Sequence, residues 1–341
     1  MDFLARVRSC ASGLVMAVAV SIAGAAAQTP VRVTLDSKFE GPSAPFLVGL
    51  DKGYYKAEGL DATIDPAAGP LEPITRVASG AYDIGFADIN ALIKFRDRNP
   101  GTPIKAVFMV YNRPPFAIVT RKSRGVAKPK DLEGKKLGAP AADSAFAQWK
   151  IFVKANGIDA AKVEVEDVAN AVREPMLAAG QVDAITGSSF STYVNLKGRG
   201  VPVDDIAVLL MSDYGVNLYG NAIIVGQRFA AANPEAVKGF LRAVTRGLKD
   251  TIRDPAAAVD SVVKRNDAVR KDVELERLRM ALKDNILPPE VEANGFGAID
   301  MARLDGAIVQ LALTYDFKTK PKAGDIFDPS FLPPVADRNS N

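Results

Sequence analysis

The sequence predicts an α/β protein of two lobes, each a parallel-rich sheet with helices on both faces, joined by a hinge. Strand-like and helix-like segments alternate from Val31 onward, and a second unit with the same alternation begins near Lys122. A strand-like segment at 221–225 has the pattern of a return into the first unit. Such βαβα order is typical of parallel sheets covered on both faces. We expect the binding site in a cleft between the units, because ligands of open α/β sheets sit outside the carboxyl ends of the strands.

These observations divide the chain into four segments. Residues 1–27 are expected to be a signal peptide, 28–121 together with 217–315 the first, discontinuous lobe, 122–216 the second lobe, and 316–341 a polar C-terminal tail on the surface. The length that remains after residue 27 suits one large or two medium domains.

The N-terminal segment has the parts of a secretory signal. Arg6 and Arg8 form a short basic start, and residues 14–27 are apolar and small, closing on an Ala-Ala-Ala sequence. A basic start, a short apolar run and an A-x-A end predict a cleaved signal peptide and a periplasmic location. An uncleaved membrane anchor is the alternative, although the run is shorter than the roughly 20 apolar residues of a span. Cys10 precedes the apolar run, so it does not predict a lipid anchor.

Residue types exclude several chemistries. Cys10 is the single cysteine, and the chain has no histidine. The processed chain is therefore expected to have no disulfide, no Cys/His metal site, no Ser-His-Asp triad and no cofactor or catalytic residue. Removal of Asp2, Arg6 and Arg8 leaves 41 basic and 39 acidic residues, a net charge of +2. So balanced a charge does not predict a nucleic-acid partner.

Periodicity and turn residues place the elements. In the first unit we predict strands at 31–35, 62–64, 82–87 and 104–111, and helices at 46–52, 72–79 and 90–96. In the second we predict strands at 135–139, 163–165, 182–185 and 207–211, and helices at 146–156 and 173–179. The segment 234–250 predicts a long amphipathic helix with one apolar face.

Five short segments carry a resemblance to a known family. In chain order they are 53–61 (GYYKAEGLD), 79–85 (SGAYDIG), 103–107 (PIKAV), 131–138 (DLEGKKLG) and 180–184 (GQVDA). They resemble segments of the periplasmic binding proteins for sulfonates, nitrate and thiamine-pyrimidine precursors. The first segment is expected to be structural: Gly59 takes a left-handed turn after a helix, and the tyrosines pack under it.

The resemblance implies a type II periplasmic binding protein fold and a role in transport. It implies a monomer that captures a small solute and delivers it to an ABC permease at the inner membrane. It also directs attention to the loop after the first strand, where Ser37 replaces a tryptophan of many relatives. Phe39 could supply the missing aromatic wall by stacking on a planar ligand, or it could simply pin the loop.

Strand ends supply the other candidates in the first lobe. Asp88 follows a predicted strand, where it could cap the next helix or accept a hydrogen bond from a ligand. Asn112 is expected to face the cleft, and Arg113 could pair with an anionic ligand or form a surface ion pair. Tyr219 and Asn221 flank the return into the first lobe, where they could wall the cleft.

In the second lobe, Asp143 and Ser144 precede a predicted helix, at a place where backbone N–H groups form an anion site. A carboxylate there would satisfy those groups and repel an anion. Ser188 could bind a ligand carboxylate or amide, or cap a helix. The candidate set thus favours a solute with N–H donors or a positive charge.

We therefore predict a non-enzymatic binding component of an ABC importer, with a nitrogenous heterocycle such as a thiamine pyrimidine precursor as its solute. The alternatives are a sulfonate, nitrate or aromatic carboxylate as the solute, or a sensor subunit. A thiamine-pyrimidine synthase is the enzymatic alternative, and it is disfavoured because the processed chain lacks the cysteine and histidine that such chemistry uses.

Overall fold

The computed structural model describes residues 27–69 and 71–339. The predicted signal peptide therefore lies outside the described residues, apart from Ala27. The described strands are β1 (Thr29–Thr34), β2 (Leu60–Asp65), β3 (Ile84–Asp88), β4 (Ile104–Met109), β5 (Phe116–Arg121), β6 (Lys136–Ala139), β7 (Glu164–Asp167), β8 (Ala184–Ser188), β9 (Ile206–Leu210) and β10 (Asn221–Gly226).

Helices connect these strands and close the chain. The α-helices are α1 (Ala44–Asp51), α2 (Tyr54–Ala57), α3 (Glu72–Ala78), α4 (Ile89–Arg98), α5 (Trp149–Ala155), α6 (Arg173–Ala179), α7 (Ser189–Gly198), α8 (Gln227–Ala232), α9 (Pro234–Arg253), α10 (Pro255–Val263), α11 (Lys271–Ala281), α12 (Pro289–Asn294), α13 (Met301–Leu311) and α14 (Ala323–Ile326). Short 3₁₀ turns lie between them, including Phe146–Gln148 before α5, where the sequence predicts the first turn of an α-helix. Within the described part of the chain, no helix combines the length and apolarity needed to cross a bilayer.

The strands form two five-stranded sheets with one shared topology. The first has the order β2-β1-β3-β10-β4 and the second β7-β6-β8-β5-β9. In the first sheet only β10 runs against its neighbours, and in the second only β5 does. The prediction of two parallel-rich sheets in two lobes is thus confirmed, with one reversed strand in each.

The reversed strands are the ones that cross between lobes. The chain leaves β4 of the first sheet and enters the second as β5, and it returns from β9 to the first sheet as β10. The expected boundary at residue 121 is therefore too late, because β5 pairs with β8 and β9 of the second sheet. A central strand buried on both faces has no alternating pattern, so its sequence does not reveal which sheet it joins.

The first lobe has its core between its sheet and α1, α9 and α10. The apolar face predicted for the long helix is confirmed, since Val237, Phe240, Leu241, Val244 and Leu248 are all buried. This long helix, α9, approaches α1 closely at Gly247, where an added Cβ would lie 2.0 Å from the carbonyl oxygen of Pro45.

The segment 53–61 is structural, as predicted. Gly59 has a φ of +73°, a conformation that favours glycine. Tyr55 is buried, its hydroxyl donates to the carbonyl of Phe46 at 3.1 Å, and its ring stacks on Phe240.

The C-terminal segment is more than a surface tail, and this expectation was wrong for its apolar residues. Ile326 and Phe327 are buried, and Phe327 forms an isolated parallel bridge with Ala106 of β4. The segment thereby covers the open edge of the first sheet, which would otherwise expose unpaired backbone groups.

Candidate functional site

A cavity of about 320 Å³ lies between the two sheets at the predicted edge. Residues at or just after the carboxyl ends of six strands line it, namely those of β1, β3, β4, β6, β7 and β8. The first residues of the reversed strands β5 and β10 complete the lining. A reversed strand begins where its neighbours end, so its first residue reaches the same edge. The cavity therefore collects side chains from both lobes.

Two carboxyl groups and an amide form its acceptor-rich wall on the first lobe. Asn221 lies opposite Asp88 in the β10–β3 ladder, and its Nδ2 donates to Oδ2 of Asp36 at 2.7 Å. Ser37 donates through Oγ to the other oxygen of Asp36 at 3.2 Å. Burial raises the pKa of Asp36 to about 6, against the smaller opposing effect of these hydrogen bonds.

Asp88 has one of the two roles that the sequence left open, that of a helix cap, and its second oxygen remains available. Its Oδ1 accepts from the backbone N–H of Asn90 at 3.0 Å, so it caps α4. Burial raises the pKa of Asp88 to about 6, with the hydrogen bonds from Asn90 opposing the shift. Oδ2 has no hydrogen-bond partner among the described residues, and Asp88 lines the cavity, so this oxygen can accept from a ligand.

Aromatic rings form a wall that spans both lobes. Phe86 and Tyr111 of the first lobe meet edge to face with centroids 5.4 Å apart, and Tyr111 meets Phe190 of α7 at 6.3 Å. All three line the cavity. Burial raises the pKa of Tyr111 well above its ordinary value, so its hydroxyl stays neutral. Flat apolar surface of this kind suits a planar ring.

The second lobe contributes an arginine held by two carboxylates. Arg173 donates through Nε to Glu174 at 3.1 Å and through Nη1 to Asp143 at 3.4 Å. Its Nη2 has no acceptor among the described residues. Among the described residues, Arg173 is the one arginine that lines this cavity, and its free Nη2 can donate to a ligand acceptor while the two carboxylates partly balance its charge.

Both carboxylate oxygens of Asp143 accept hydrogen bonds from the protein itself. One oxygen accepts from the N–H of Ala145 at 3.1 Å, and the other from Thr186 Oγ1 at 2.6 Å and from Arg173. It satisfies local donors as expected, but the neighbouring guanidinium offsets the repulsion that it was expected to exert on an anion.

Six of the predicted binding residues line this cavity: Ser37, Asp88, Asp143, Ser144, Ser188 and Asn221. The Oγ of Ser188 is buried without a hydrogen-bond partner among the described residues, which makes it a candidate contact for a ligand.

Phe39, Asn112, Arg113 and Tyr219 lie outside the cavity lining. The ring of Phe39 packs against the core of the first lobe, and its carbonyl accepts from Asn266 at 2.9 Å, so it pins the loop. Asn112 is buried and donates to the carbonyl of Ala298 at 3.3 Å.

Arg113 and Tyr219 belong to the crossovers that join the lobes. Arg113 donates to Ser212 Oγ at 2.8 Å and pairs with Asp213, so it links the two crossovers to each other. Tyr219 is fully buried, donates to Glu290 at 2.8 Å and lies under the guanidinium of Arg303. The sequence predicted that both residues lie near the hinge, but it did not predict the direction of their side chains.

Arg173 was missed as a site residue, although a signal was present. It is the first residue of α6, and a basic side chain is unfavourable at a helix N-terminus. A residue that breaks a local preference often has another role. Elsewhere, no group of three or more His, Cys, Asp or Glu residues in the described part of the chain could hold a metal ion.

Comparison with known proteins gives a family match. The model of the family described as "NMT1/THI5 like" matches residues 41–258. A riboflavin-binding protein of Chloroflexus aurantiacus is 32% identical over 64% of this chain and 61% of its own length. A formylaminopyrimidine-binding protein of Halalkalibacterium halodurans is 26% identical over 69% of this chain and 72% of its own length. This chain therefore matches less than two thirds of the riboflavin-binding protein.

Similarity extends to enzymes and to solved structures. A 4-amino-5-hydroxymethyl-2-methylpyrimidine phosphate synthase of Aspergillus parasiticus is 27% identical over 64% of this chain and 66% of its own length. The periplasmic aliphatic sulphonate binding protein of Escherichia coli aligns with a TM-score of 0.69 over 87% of this chain and 96% of that chain, at 15% identity. The type II periplasmic binding protein fold predicted from the sequence is confirmed by this likeness.

Proposed function

The chain belongs to the NMT1/THI5-like family, and from this premise we propose that it is the exported solute-binding component of an ABC importer. Its solute is a small nitrogenous heterocycle with several N–H donors, such as a thiamine pyrimidine precursor. The two lobes close on the solute and release it to a permease, and no bond of the solute changes. The protein works as a monomer in the periplasm.

One observation carries the proposal: an acceptor-rich wall and an aromatic wall meet in one cavity. Oδ2 of Asp88 is available for hydrogen bonding, and Asn221 lies beside it with an amide oxygen. Amino groups and ring N–H groups are the donors that such oxygens accept. Phe86 and Tyr111 offer the flat surface on which a ring can stack.

Two chain crossovers give the lobes a hinge. The crossovers bond to each other, with the N–H of Gly220 donating to the carbonyl of Tyr111 at 2.9 Å. Hinge closure around a ligand needs only a few residues to change conformation, and these paired segments are suited to that motion.

The relatives support the solute class. Riboflavin and formylaminopyrimidine, in the names of two binding proteins similar to this chain, are both nitrogen-rich planar rings. The synthase activity in the name of a third relative is not part of the proposal. Residues 28–341 contain neither cysteine nor histidine, which are the residues expected for that chemistry.

A thermal-shift screen tests the solute class. We expect aminopyrimidines or riboflavin to raise the melting temperature of the processed protein, because a ligand at 100 times its Kd stabilises by about 2.7 kcal/mol. Asp88→Asn should weaken binding about tenfold by calorimetry. Asparagine is a good N-cap, so α4 should persist in this variant. Asp61→Asn, at an exposed position on β2, is the control.

Screening should include sulfonates, nitrate and aromatic carboxylates. If only these anions stabilise the protein, the heterocycle proposal is wrong and the second candidate function, anion import, takes its place. Nη2 of Arg173 is the observation that favours this candidate, since it is a donor without a protein acceptor among the described residues.

A further inference from the structure

A second chamber of about 540 Å³ adjoins the first. The two share Asp88 from the first lobe and Ala142, Asp143 and Ser144 from the second. Because both lobes line both chambers, the chambers lie along one interlobe cleft. Separation of the lobes would merge them into a single elongated site.

The second chamber differs from the first in holding two cationic side chains of the first lobe. Lys94 and Arg98 line it from successive turns of α4. Neither lies within ion-pair distance of a carboxylate in the described part of the chain; their shared neighbour is Tyr315, whose ring lies 5.7 Å from Lys94 Nζ and 5.0 Å from the Arg98 guanidinium carbon. Burial lowers the pKa of Lys94, with Arg98 adding to the shift and Asp88 opposing it. An anion in the chamber would favour the charged form of Lys94.

A buried amide provides a second, independent indication of a ligand. Gln148 lines the chamber with 1% of its surface exposed. Its Nε2 donates weakly to the carbonyl of Ser144 at 3.3 Å, and its Oε1 has no partner among the described residues. Buried polar atoms are almost always hydrogen-bonded in native proteins. The free atom is an acceptor, so it would accept from a hydroxyl or N–H group of a bound molecule rather than contact the anionic group itself.

The charges of the cleft are therefore distributed along its length. Asp36 lines the first chamber, Lys94 and Arg98 line the second, and Asp88 and Asp143 lie where the two meet. Asp143 pairs with Arg173, and Asp88 does not reach ion-pair distance of either cation, so a neutral heterocycle would leave Lys94 and Arg98 without an ion-pair partner among the described residues.

We propose that the second chamber binds an anionic group, a phosphate or a carboxylate, attached to the heterocycle that occupies the first chamber. The inference rests on the proposed function and narrows it: the solute is amphoteric, with N–H donors at one end and a negative charge at the other. The side chains of Lys94 and Arg98 determine the specificity for the anionic end, since charge-assisted hydrogen bonds are the strong ones.

Calorimetry with pairs of neutral and anionic probes tests whether the second chamber binds an anionic group. The probes are 4-amino-5-hydroxymethyl-2-methylpyrimidine, its phosphate ester and the corresponding 5-carboxylic acid, together with riboflavin and riboflavin 5′-phosphate. In at least one series we expect an anionic probe to bind tenfold or more tightly than its neutral parent, which is about 1.4 kcal/mol. The phosphate and carboxylate arms distinguish the two anionic groups.

The double variant Lys94→Met/Arg98→Gln should reduce that preference to within about twofold. The preference is a ratio of two affinities measured in the same variant, so an effect of Lys94 on Asp88 that acts equally on both probes cancels. Lys150→Met is the matched control, because Lys150 is exposed on α5 and does not line the chamber. It should keep the full preference, and the melting temperatures of all variants without ligand would establish that they fold.

The outcomes separate this inference from the proposed function. Heterocycles that bind with no preference for an anionic group would overturn the inference alone. A preference that survives in the double variant would also overturn it, because the anion would then lie elsewhere. Failure of every heterocyclic probe to bind would overturn both.

Discussion

At the residue scale, the acceptor wall of the cleft carries an energetic cost. Asp36 and Asp88 are held in an environment that raises the pKa of each to about 6. Burial is the main cause of the raised pKa of both carboxyl groups, and the hydrogen bonds that they accept offset only part of this shift. Ligand donors would replace the missing solvation, so the same residues that destabilise the free protein can add to affinity.

The first prediction concerns the pH dependence of this cost. The pKa of Asp36 is raised from 3.8 to about 6 on folding, so the unfolded chain loses this proton first as pH rises. The free energy of unfolding should therefore fall between about pH 4 and pH 6 and stay low above that. Asp36→Asn should raise it by about 1–2 kcal/mol at pH 7.5, less than the full shift implies because Asp36 is half-buried.

The measurement is denaturant unfolding of the ligand-free protein at pH 4 and pH 7.5. The stability gained by Asp36→Asn should be much smaller at pH 4, where the carboxyl is protonated in the folded state and about half protonated in the unfolded chain. Asp61→Asn removes an exposed carboxylate and serves as the control. An equal gain at both pH values would mean that charge burial is not its cause.

At the element scale, the packing of α9 against α1 sets the stability of the first lobe. Gly247 allows the contact, since α9 passes over the carbonyl of Pro45 at a distance that leaves no space for a side chain. Glycine lowers helix propensity in a helix interior. Here that cost is offset by the apolar surface that the close approach buries.

The second prediction uses two helical glycines. Gly247→Ala should destabilise the protein by about 2–4 kcal/mol, because the new Cβ meets backbone that cannot move aside. Gly306→Ala in α13 is the matched control, since no atom lies within 4 Å of its added Cβ. It should be neutral or stabilising by up to about 1 kcal/mol. Thermal unfolding distinguishes the two, and similar melting temperatures for both variants would contradict the close-contact explanation.

At the scale of the whole molecule, contacts of α7 with the first lobe connect the two lobes on one side of the cleft. Tyr111 of the first lobe meets Phe190 of α7. Lys197 at the end of α7 pairs with Glu276 of α11 at 2.8 Å. These contacts exist only when the lobes are near each other, so their strength adds to the free energy of closure.

The third prediction tests the cross-lobe ion pair by charge reversal. Lys197→Glu and Glu276→Lys should each weaken solute binding about two- to fivefold, because exposed pairs contribute up to about 1 kcal/mol. The double exchange should restore affinity, since it recreates the pair. Titration of whichever solute the screen identifies supplies the measurement.

The pair Lys238–Glu235 lies within α9 and serves as the control. Reversing it should not change the affinity. If the variant with both charges exchanged, at Lys197 and Glu276, binds the solute as weakly as the single variants do, the pair does not contribute to closure.

The sequence alone determined the class and much of the local structure. The alternation of elements, the apolar face of α9 and the left-handed turn at Gly59 are local properties, set by side-chain periodicity and by backbone freedom. The ends of strands were also readable. For that reason, four residues at or after predicted strand ends, Asp88, Asp143, Ser188 and Asn221, line the cavity in the structure.

Only the tertiary structure decided which distant groups meet. The pairing of Asn221 with Asp36 spans 185 residues, and Arg173 reaches Asp143 across 30. Strand β5 joined the second sheet, and the side chains of Arg113 and Tyr219 turned into the hinge rather than the cleft. Side-chain direction and long-range pairing depend on how the sheets twist and pack against each other, and neither leaves a periodic signal along the chain.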